Sequence, residues 1–117
     1  MDTITIYQKP SCSKCRETVK LLADRGIDFD SINYFIDPIP ADTLKSLIIK
    51  LGIRPIDLFR KKEERFRELE IASKSFSDEE LIQILAENPE LIERPIVVKG
   101  KKAVLGRPPE NVAKLFE

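Results

Sequence analysis

The spacing of apolar positions divides this chain into three parts, and the first part predicts a strand, a helix and a strand. From Thr3 to Tyr7, β-branched and aromatic residues alternate with others and stop before Lys9-Pro10, as in a short strand. After Lys14 the apolar positions follow a helical spacing, and Gly26 supplies a stop. A second run of strand-forming residues, Asp28 to Ile36, ends at a segment with two prolines.

The middle part of the chain has a helical pattern. Its apolar positions recur at helical spacing in three runs, Leu44 to Leu51, Leu58 to Leu69, and Leu81 to Leu85. Gly52 follows the first run, and Ser77 with three acidic residues after it suits the start of the third. We therefore expect a helical insert over residues 41–93.

The last part predicts a hairpin and a closing helix. Two apolar runs between Pro95 and Gly106 flank a Lys-Gly-Lys turn, and "PENVAKLF" has a proline at the start of a helical pattern. The order β-α-β, insert, β-β-α is that of a thioredoxin-like α/β fold with a mixed four-stranded sheet. We expect one domain over residues 1–117, with the insert between the second and third strands.

Pro95 opens the predicted third strand, where thioredoxin folds place a cis peptide bond. Cis bonds are essentially confined to proline, which makes this position a candidate. A trans proline at the start of a strand is the alternative.

Composition and charge narrow the function classes. The 117 residues are 42% hydrophobic and 34% charged, which is typical of one globular core. Lys plus Arg equals Asp plus Glu at 20 each, so the summed charge gives no general attraction to nucleic acid or acidic membranes. No apolar run is long enough to cross a bilayer, and Asp2 stands where a signal peptide would be basic. We expect a cytoplasmic protein without a nucleic-acid or membrane partner.

Two cysteines, Cys12 and Cys15 in "KPSCSKC", lie between the first strand and the first helix. A C-x-x-C pair near a βαβ pattern is typical of a thioredoxin-like redox motif. Unpaired amides and the helix dipole favour a thiolate at a helix N-terminus, so Cys12 is the expected attacking thiol. Cys15, about one turn later, is the expected second thiol. Three basic side chains nearby add positive charge: Lys9, Lys14 and Arg16.

Other interpretations of the two cysteines are weaker. One alternative is that both cysteines are ordinary small buried residues, because free cysteine is commonly buried. A zinc site needs four ligands, and the chain has no histidine and no third cysteine, so only a dimer sharing two pairs would supply them. A tyrosine-phosphatase loop would need an arginine where Thr18 stands. With no glycine-rich phosphate loop either, we expect no metal and no bound cofactor.

Three arginines form a second candidate group. Arg94 precedes the third strand and Arg107 follows the fourth, so both could face the cysteine loop, whereas Arg60 would have to reach across from the insert. Guanidinium groups bind oxyanions bidentately and would also lower the pKa of a nearby thiol. Position alone favours the ordinary alternative, in which each arginine is a solvated surface charge.

Four stretches make the sequence resemble a known family: "IYQKPSCSKCRETVKLL", "LFRKKEERFRELE", "FSDEELIQILAENPELIERPIVV" and "LGRPPENV". Over essentially the whole chain it is similar to the glutaredoxin-coupled arsenate reductases of the ArsC and Spx-like superfamily. The resemblance implies that Cys12 attacks arsenate and that Arg60, Arg94 and Arg107 hold the oxyanion. It also implies an oxidoreductase of arsenic detoxification whose external thiol donor is thioredoxin or glutathione with glutaredoxin.

Two positions depart from that family. The characterised glutaredoxin-coupled enzymes lack a cysteine at the position of Cys15 and have a histidine where this chain has Gln8. Without the histidine, activation of Cys12 must come from the helix terminus and the arginines. With Cys15, a Cys12–Cys15 disulfide becomes a hypothesis for the catalytic cycle.

Two alternatives stay open at this point. Spx-like regulators, which bind RNA polymerase and use such a disulfide as a switch, share the C-x-x-C and "ERPIVV". The full "GRPPENV" motif with Arg107 favours the reductase. A general thiol oxidoreductase without an arsenate site is the other alternative, and oxyanion protection of Cys12 from alkylation would separate the two.

Overall fold

The computed structural model describes residues 3–116, which form two compact units. The described residues before Pro38 and those from Arg94 onwards form the first unit, and Pro38–Glu93 form the second. Asp2, on which the expectation about the N-terminus rests, lies outside the described residues. The organisation as one domain with an insert over residues 41–93 stays a prediction.

The first unit contains a mixed four-stranded sheet. Its strands are β1 (Ile4–Gln8), β2 (Phe29–Asn33), β3 (Ile96–Lys99) and β4 (Lys102–Leu105). Their order is β2-β1-β3-β4, with β1 parallel to β2 and antiparallel to β3, and with β3 antiparallel to β4. The predicted thioredoxin-like α/β fold is confirmed.

Strand β2 is shorter than the predicted run from Asp28 to Ile36. It ends at Asn33, whose side-chain Oδ1 accepts a hydrogen bond from the Phe35 N–H at 3.1 Å. The Asn33 carbonyl accepts a second bond from the Ile36 N–H at 3.0 Å. Asparagine forms such turns readily, because its side chain replaces a backbone partner. The turn therefore stops the strand although apolar residues follow.

Helix α1 (Ser13–Asp24) begins directly after Cys12, one residue before the predicted start. Cys12 has the extended backbone of an N-cap, with φ −82° and ψ 127°. At the other end, Gly26 has φ +67° and donates its N–H to the Ala23 carbonyl at 3.0 Å, as predicted for a glycine stop. Ala23 itself is exposed, so it does not belong to the apolar face.

One core cluster lies on the sheet and joins it to α1 and the C-terminal helix. Its fully or nearly buried members are Ile4, Ile6, Leu22, Val97, Val112 and Leu115. The closing segment, predicted as a helix, is a 3₁₀ helix over Pro109–Phe116. Burial of these apolar side chains fixes α1, and with it the cysteine loop, on the sheet.

The peptide bond before Pro95 is cis, as its position at the start of the third strand indicated. The bond before Pro108 is cis as well. Between these prolines, Gly106 packs so closely that a Cβ there would lie 2.7 Å from Thr18 Oγ1 and 2.8 Å from Pro95 Cγ. Only glycine fits, since real Cβ contacts are longer. This close packing joins α1 to the segments that carry Arg94 and Arg107.

The second unit is helical but less regular than predicted. It contains α2 (Ala41–Leu51), α3 (Glu64–Glu68) and α4 (Asp78–Glu87), with 3₁₀ turns at Pro55–Leu58 and Pro89–Leu91. Gly52 ends α2 with φ +69°, and Ser77 caps α4 in a reciprocal capping box with Glu80, so both sequence signals are confirmed.

The predicted helical run from Leu58 to Leu69 is wrong in its first half. Phe59 is extended and pairs with Ile92 in an isolated β-bridge. The Arg60 N–H then donates to the Leu91 carbonyl at 2.7 Å. These bonds to a distant segment replace the local bonds of a helix, and only Glu64–Glu68 stays helical. Among residues 3–116, no helix is long and apolar enough to span a membrane.

Candidate active site

The two cysteines differ in exposure. Cys12 is partly exposed at the start of α1, whereas Cys15 is fully buried one turn later. The Cys12 N–H donates to the Lys9 carbonyl at 2.9 Å, and the Arg16 guanidinium donates to the Ser11 carbonyl at 3.0 Å. These bonds hold the loop that presents Cys12.

The pKa of the Cys12 thiol is lowered to about 7. Burial alone would raise it, but hydrogen bonds to the thiolate outweigh that effect. The donors are the N–H and S–H of Cys15, the guanidinium of Arg94 and the N–H of Lys14. The backbone donors are the unpaired amides of the first helical turn, as the sequence suggested. At neutral pH a substantial fraction of Cys12 is therefore thiolate.

The pKa of the Cys15 thiol moves in the opposite direction, to about 11. Burial is the main cause, and the hydrogen bond that Cys15 donates to Cys12, together with the Cys12 charge, raises it further. The Lys9 N–H and the Arg94 charge only partly offset this. Cys12 is thus the more readily ionised of the two thiols, and burial favours the protonated form of Cys15.

Arg107 lies directly beside Cys12. Its Nη2 is 3.7 Å from the Cys12 Sγ, and its Nε donates to the Arg94 carbonyl at 2.6 Å. The Asn111 side chain donates in turn to the Arg107 carbonyl at 3.0 Å. Because the guanidinium is held at one edge and contacts the thiol at the other, Arg107 adds fixed positive charge next to the sulfur.

Arg94 is the more unusual of the two arginines, since it is only 8% exposed. Within the described part of the chain, its buried Nε and Nη1 have no hydrogen-bond partner. Unpaired buried donors are rare because they lose their bonds to water without replacement. Unpaired donors on a cation next to a thiolate are suited to bind an anion.

Two residues next to Arg94 were missed by sequence reasoning. The Arg94 guanidinium lies over the Phe35 ring, with Cζ 5.5 Å from the ring centroid, and donates a hydrogen bond to Tyr34, which is fully buried. Both residues follow β2 and read in sequence as its apolar continuation. A tyrosine at a predicted buried position, which needs a partner for its hydroxyl, was the signal that could have found one of them.

Gln8 is the position at which the resemblance led us to expect a histidine. It is 9% exposed at the end of β1, and its side-chain amide donates to the Ser31 hydroxyl on the neighbouring strand. Its contact with β2 shows that Gln8 links the two strands. The lowered Cys12 pKa arises without it, from the donors named above.

Arg60 belongs to the second unit. It is partly buried and forms ion pairs with Glu63, at 3.3 Å, and with Glu93, at 3.5 Å. An oxyanion bound by Arg60 would have to compete with these carboxylates. Within the first unit, the structure brings together the other predicted site residues: Cys12, Cys15, Arg94 and Arg107.

The arrangement can perform nucleophilic thiol chemistry on a small anion. A partly ionised thiol, a second thiol in hydrogen-bond contact and two guanidinium groups meet in one place. Within residues 3–116, no group of three or more His, Cys, Asp or Glu side chains could hold a metal ion. The fold and the site together define a thioredoxin-like thiol oxidoreductase.

The first testable consequence is the pH dependence of Cys12 alkylation. Iodoacetamide should label Cys12 with a rate that rises through about pH 7, since the thiolate reacts and the thiol does not. Cys15 should stay unlabelled in the folded protein. Replacing Cys15 by alanine removes its S–H bond to Cys12 and should move the profile to higher pH. Mass spectrometry of labelled peptides checks this, and fast labelling of Cys15 or an unmoved profile would contradict it.

Comparison with known proteins identifies the family. A model of the ArsC family matches residues 7–115. The Uncharacterized protein YfgD of Escherichia coli K12 is 44% identical, over 96% of this chain and 95% of its own. The Arsenate reductase of Haemophilus influenzae is 39% identical, over 97% of this chain and 99% of its own. A solved structure, the Arsenate reductase from Vibrio cholerae, is 41% identical, covers 97% of both chains and has a TM-score of 0.92.

This chain belongs to the ArsC family. The resemblance inferred from the four sequence stretches is confirmed, and the protein is an arsenate reductase-like thiol oxidoreductase.

Proposed function

We propose that the protein reduces arsenate to arsenite, with Cys12 as the nucleophile. The observation that carries the proposal is the partly ionised Cys12 next to Arg107 and to the two unpaired donors of Arg94. Arsenate is a tetrahedral oxyanion of the size and charge that such a pair of guanidinium groups binds. Relatives of 37% to 41% identity that are named Arsenate reductase support this substrate.

Binding comes first in the proposed mechanism. Arg94 and Arg107 neutralise arsenate, because a thiolate would otherwise repel an approaching anion. Arg60 is proposed as the third arginine on the resemblance alone. Its ion pairs with Glu63 and Glu93 would have to open or rearrange for this role.

The first chemical step joins sulfur to arsenic. The Cys12 thiolate attacks the arsenic atom, a sulfur–arsenic bond forms, and one arsenic–oxygen bond breaks. The bond that breaks is that of an As–OH group, whose departing hydroxyl takes up one proton from solvent and leaves as water. Arsenic stays at oxidation state five in this Cys12–arsenate adduct, and no electrons have yet been transferred.

The second step transfers two electrons. Cys15 loses its proton and attacks the Cys12 sulfur, forming a disulfide and breaking the sulfur–arsenic bond. The electron pair of that bond goes to arsenic, which leaves as arsenite. Thioredoxin or glutaredoxin then reduces the disulfide. In the alternative route glutathione attacks the adduct, and glutaredoxin clears the mixed disulfide.

Arsenate-dependent NADPH oxidation by the purified protein tests the proposal. Parallel assays supply a thioredoxin system or glutathione with glutaredoxin, and sulfate replaces arsenate in matched controls. Turnover that depends on arsenate is the expected result. If neither system supports turnover while arsenate also fails to protect Cys12 from alkylation, the proposed substrate is wrong.

The proposed cycle needs a reducing compartment, because Cys12 and Cys15 must return to thiols after each turnover. We therefore place the protein in the cytoplasm and name a thiol donor as its protein partner. The alternative of a regulator that binds RNA polymerase is not favoured by the relatives described above.

A further inference from the structure

The orientation of Arg94 is fixed by aromatic residues. Its Cζ lies 5.5 Å from the centroid of the Phe35 ring, and Lys9 Nζ lies 4.6 Å from the same centroid. The Phe35 ring is tilted against the Tyr34 ring with 5.2 Å between their centroids. A guanidinium over an aromatic face is attracted by the ring quadrupole, so the Phe35 ring provides one support for Arg94.

Tyr34 provides the second support. Its side chain is fully buried, and a buried phenol needs a hydrogen-bond partner for its hydroxyl. Burial alone would lower the pKa of the Arg94 guanidinium, but its interactions with Tyr34 and then Cys12 raise it. A guanidinium carries five N–H donors, and those on Nε and Nη1 have no partner among residues 3–116. The contacts of Arg94 thus hold it while leaving the N–H groups on Nε and Nη1 unused.

Tyr34 can hold Arg94 without neutralising it, because a phenol carries no charge at neutral pH. Arg60 shows the contrasting case, since two carboxylates occupy its guanidinium. A carboxylate at the position of Tyr34 would neutralise Arg94 and compete with an incoming anion. A phenol accepts one hydrogen bond and leaves the positive charge uncancelled.

We propose that Tyr34 is a positioning residue, which holds the Arg94 guanidinium next to Cys12 so that its unused donors receive the substrate oxyanion. The inference rests on the proposed function for the identity of that anion. The part that concerns Tyr34, Arg94 and Cys12 stands on the contacts themselves. In this role Tyr34 acts through Arg94.

Tyr34→Phe tests the proposal, because it removes only the hydroxyl. Two quantities are measured: the arsenate concentration that half-protects Cys12 from iodoacetamide, and the Cys12 pKa from the pH dependence of labelling. We expect protection to need about tenfold more arsenate, as for the loss of one hydrogen bond to a charged group. We also expect the Cys12 pKa to rise, because a displaced Arg94 stabilises the thiolate less.

The chain's other tyrosine offers a matched control. Tyr7→Phe removes the same hydroxyl from a half-buried residue of β1, and neither quantity should change. The Cys12 pKa is then measured for Arg94→Gln with and without Tyr34→Phe. If Tyr34 acts through Arg94, Tyr34→Phe adds no further shift in the Arg94→Gln background.

Three results would overturn the proposal: wild-type values for Tyr34→Phe, the same shift with and without Arg94, or equal effects from Tyr7→Phe. Thermal unfolding of each variant shows whether Tyr34→Phe destabilises the whole protein. Such a destabilisation would occur in the Arg94→Gln background as well. If arsenate fails to protect the wild type, the proposed function fails instead. The pKa cycle still decides the role of Tyr34, because it needs no arsenate.

Discussion

Cys12→Ser is expected to lose arsenate-dependent turnover by about 10³-fold or more with every thiol donor. A serine hydroxyl stays protonated under conditions where the Cys12 thiol, with a pKa of about 7, is substantially ionised. Without a thiolate, no sulfur–arsenic bond forms and neither electron can reach arsenic. The measurement is arsenate-dependent NADPH oxidation, with arsenite determined independently as the product.

Cys15→Ser in the same assay separates the two donor routes. If Cys15 resolves the adduct, turnover with thioredoxin falls to background in this variant too. Retained turnover with glutathione and glutaredoxin would show that glutathione can replace Cys15. Ser11→Ala, in the same loop, is the matched control and should keep full activity. Unchanged turnover of Cys15→Ser with every donor would remove Cys15 from the mechanism, and activity in Cys12→Ser would remove the proposed nucleophile.

Arg94→Gln is expected to lower kcat/KM for arsenate by about 10²-fold or more, since hydrogen bonds to charged groups contribute about 1.5–3 kcal/mol each. The variant loses the positive charge and the two unpaired donors, Nε and Nη1. The Cys12 pKa should rise as well, because Arg94 is one of the groups that lower it. Steady-state kinetics with arsenate and the pH profile of Cys12 labelling measure the two effects.

Two further variants separate local contacts from the general field. Arg94→Lys keeps the charge but loses the planar guanidinium, so it should still bind arsenate poorly. Arg25→Gln removes an exposed charge at the end of α1 and should leave kcat/KM within about twofold, as exposed charges are screened by salt. Equal losses for Arg25→Gln and Arg94→Gln would contradict a specific oxyanion contact.

Local sequence signals predicted the fold well where the hydrogen bonds at the end of an element are made by residues of that same element. Ser77 with Glu80 forms a complete capping box within four residues, and Gly52 ends its helix through its own positive φ. The segment from Leu58 to Leu69 failed for the opposite reason. Its helical periodicity is real, but Phe59 pairs with Ile92, and a distant strand partner is not encoded in local spacing.

In the candidate site, too, the sequence predicted what depends on local residues and missed what depends on distant ones. The C-x-x-C at a helix N-terminus could be predicted with its asymmetry, because the first-turn amides that act on Cys12 belong to its own helix. The arginines needed the family resemblance, since position alone favoured surface charges. Nothing in local spacing shows that Tyr34 and Phe35 lie beside Arg94, about sixty residues later in the chain.

The sequence by itself determined the order of elements, the more acidic of the two cysteines and the family, because hydrophobic period, capping residues and motif spacing act over a few residues. Tertiary structure alone decided which cations reach the thiol and which of them stay free to bind an anion. Arg94 and Arg60 are both arginines in charged segments, yet one is buried against aromatic rings with unpaired donors and the other is paired with two carboxylates. That difference arises from side chains that meet only when the chain folds, so its physical origin is packing between distant segments.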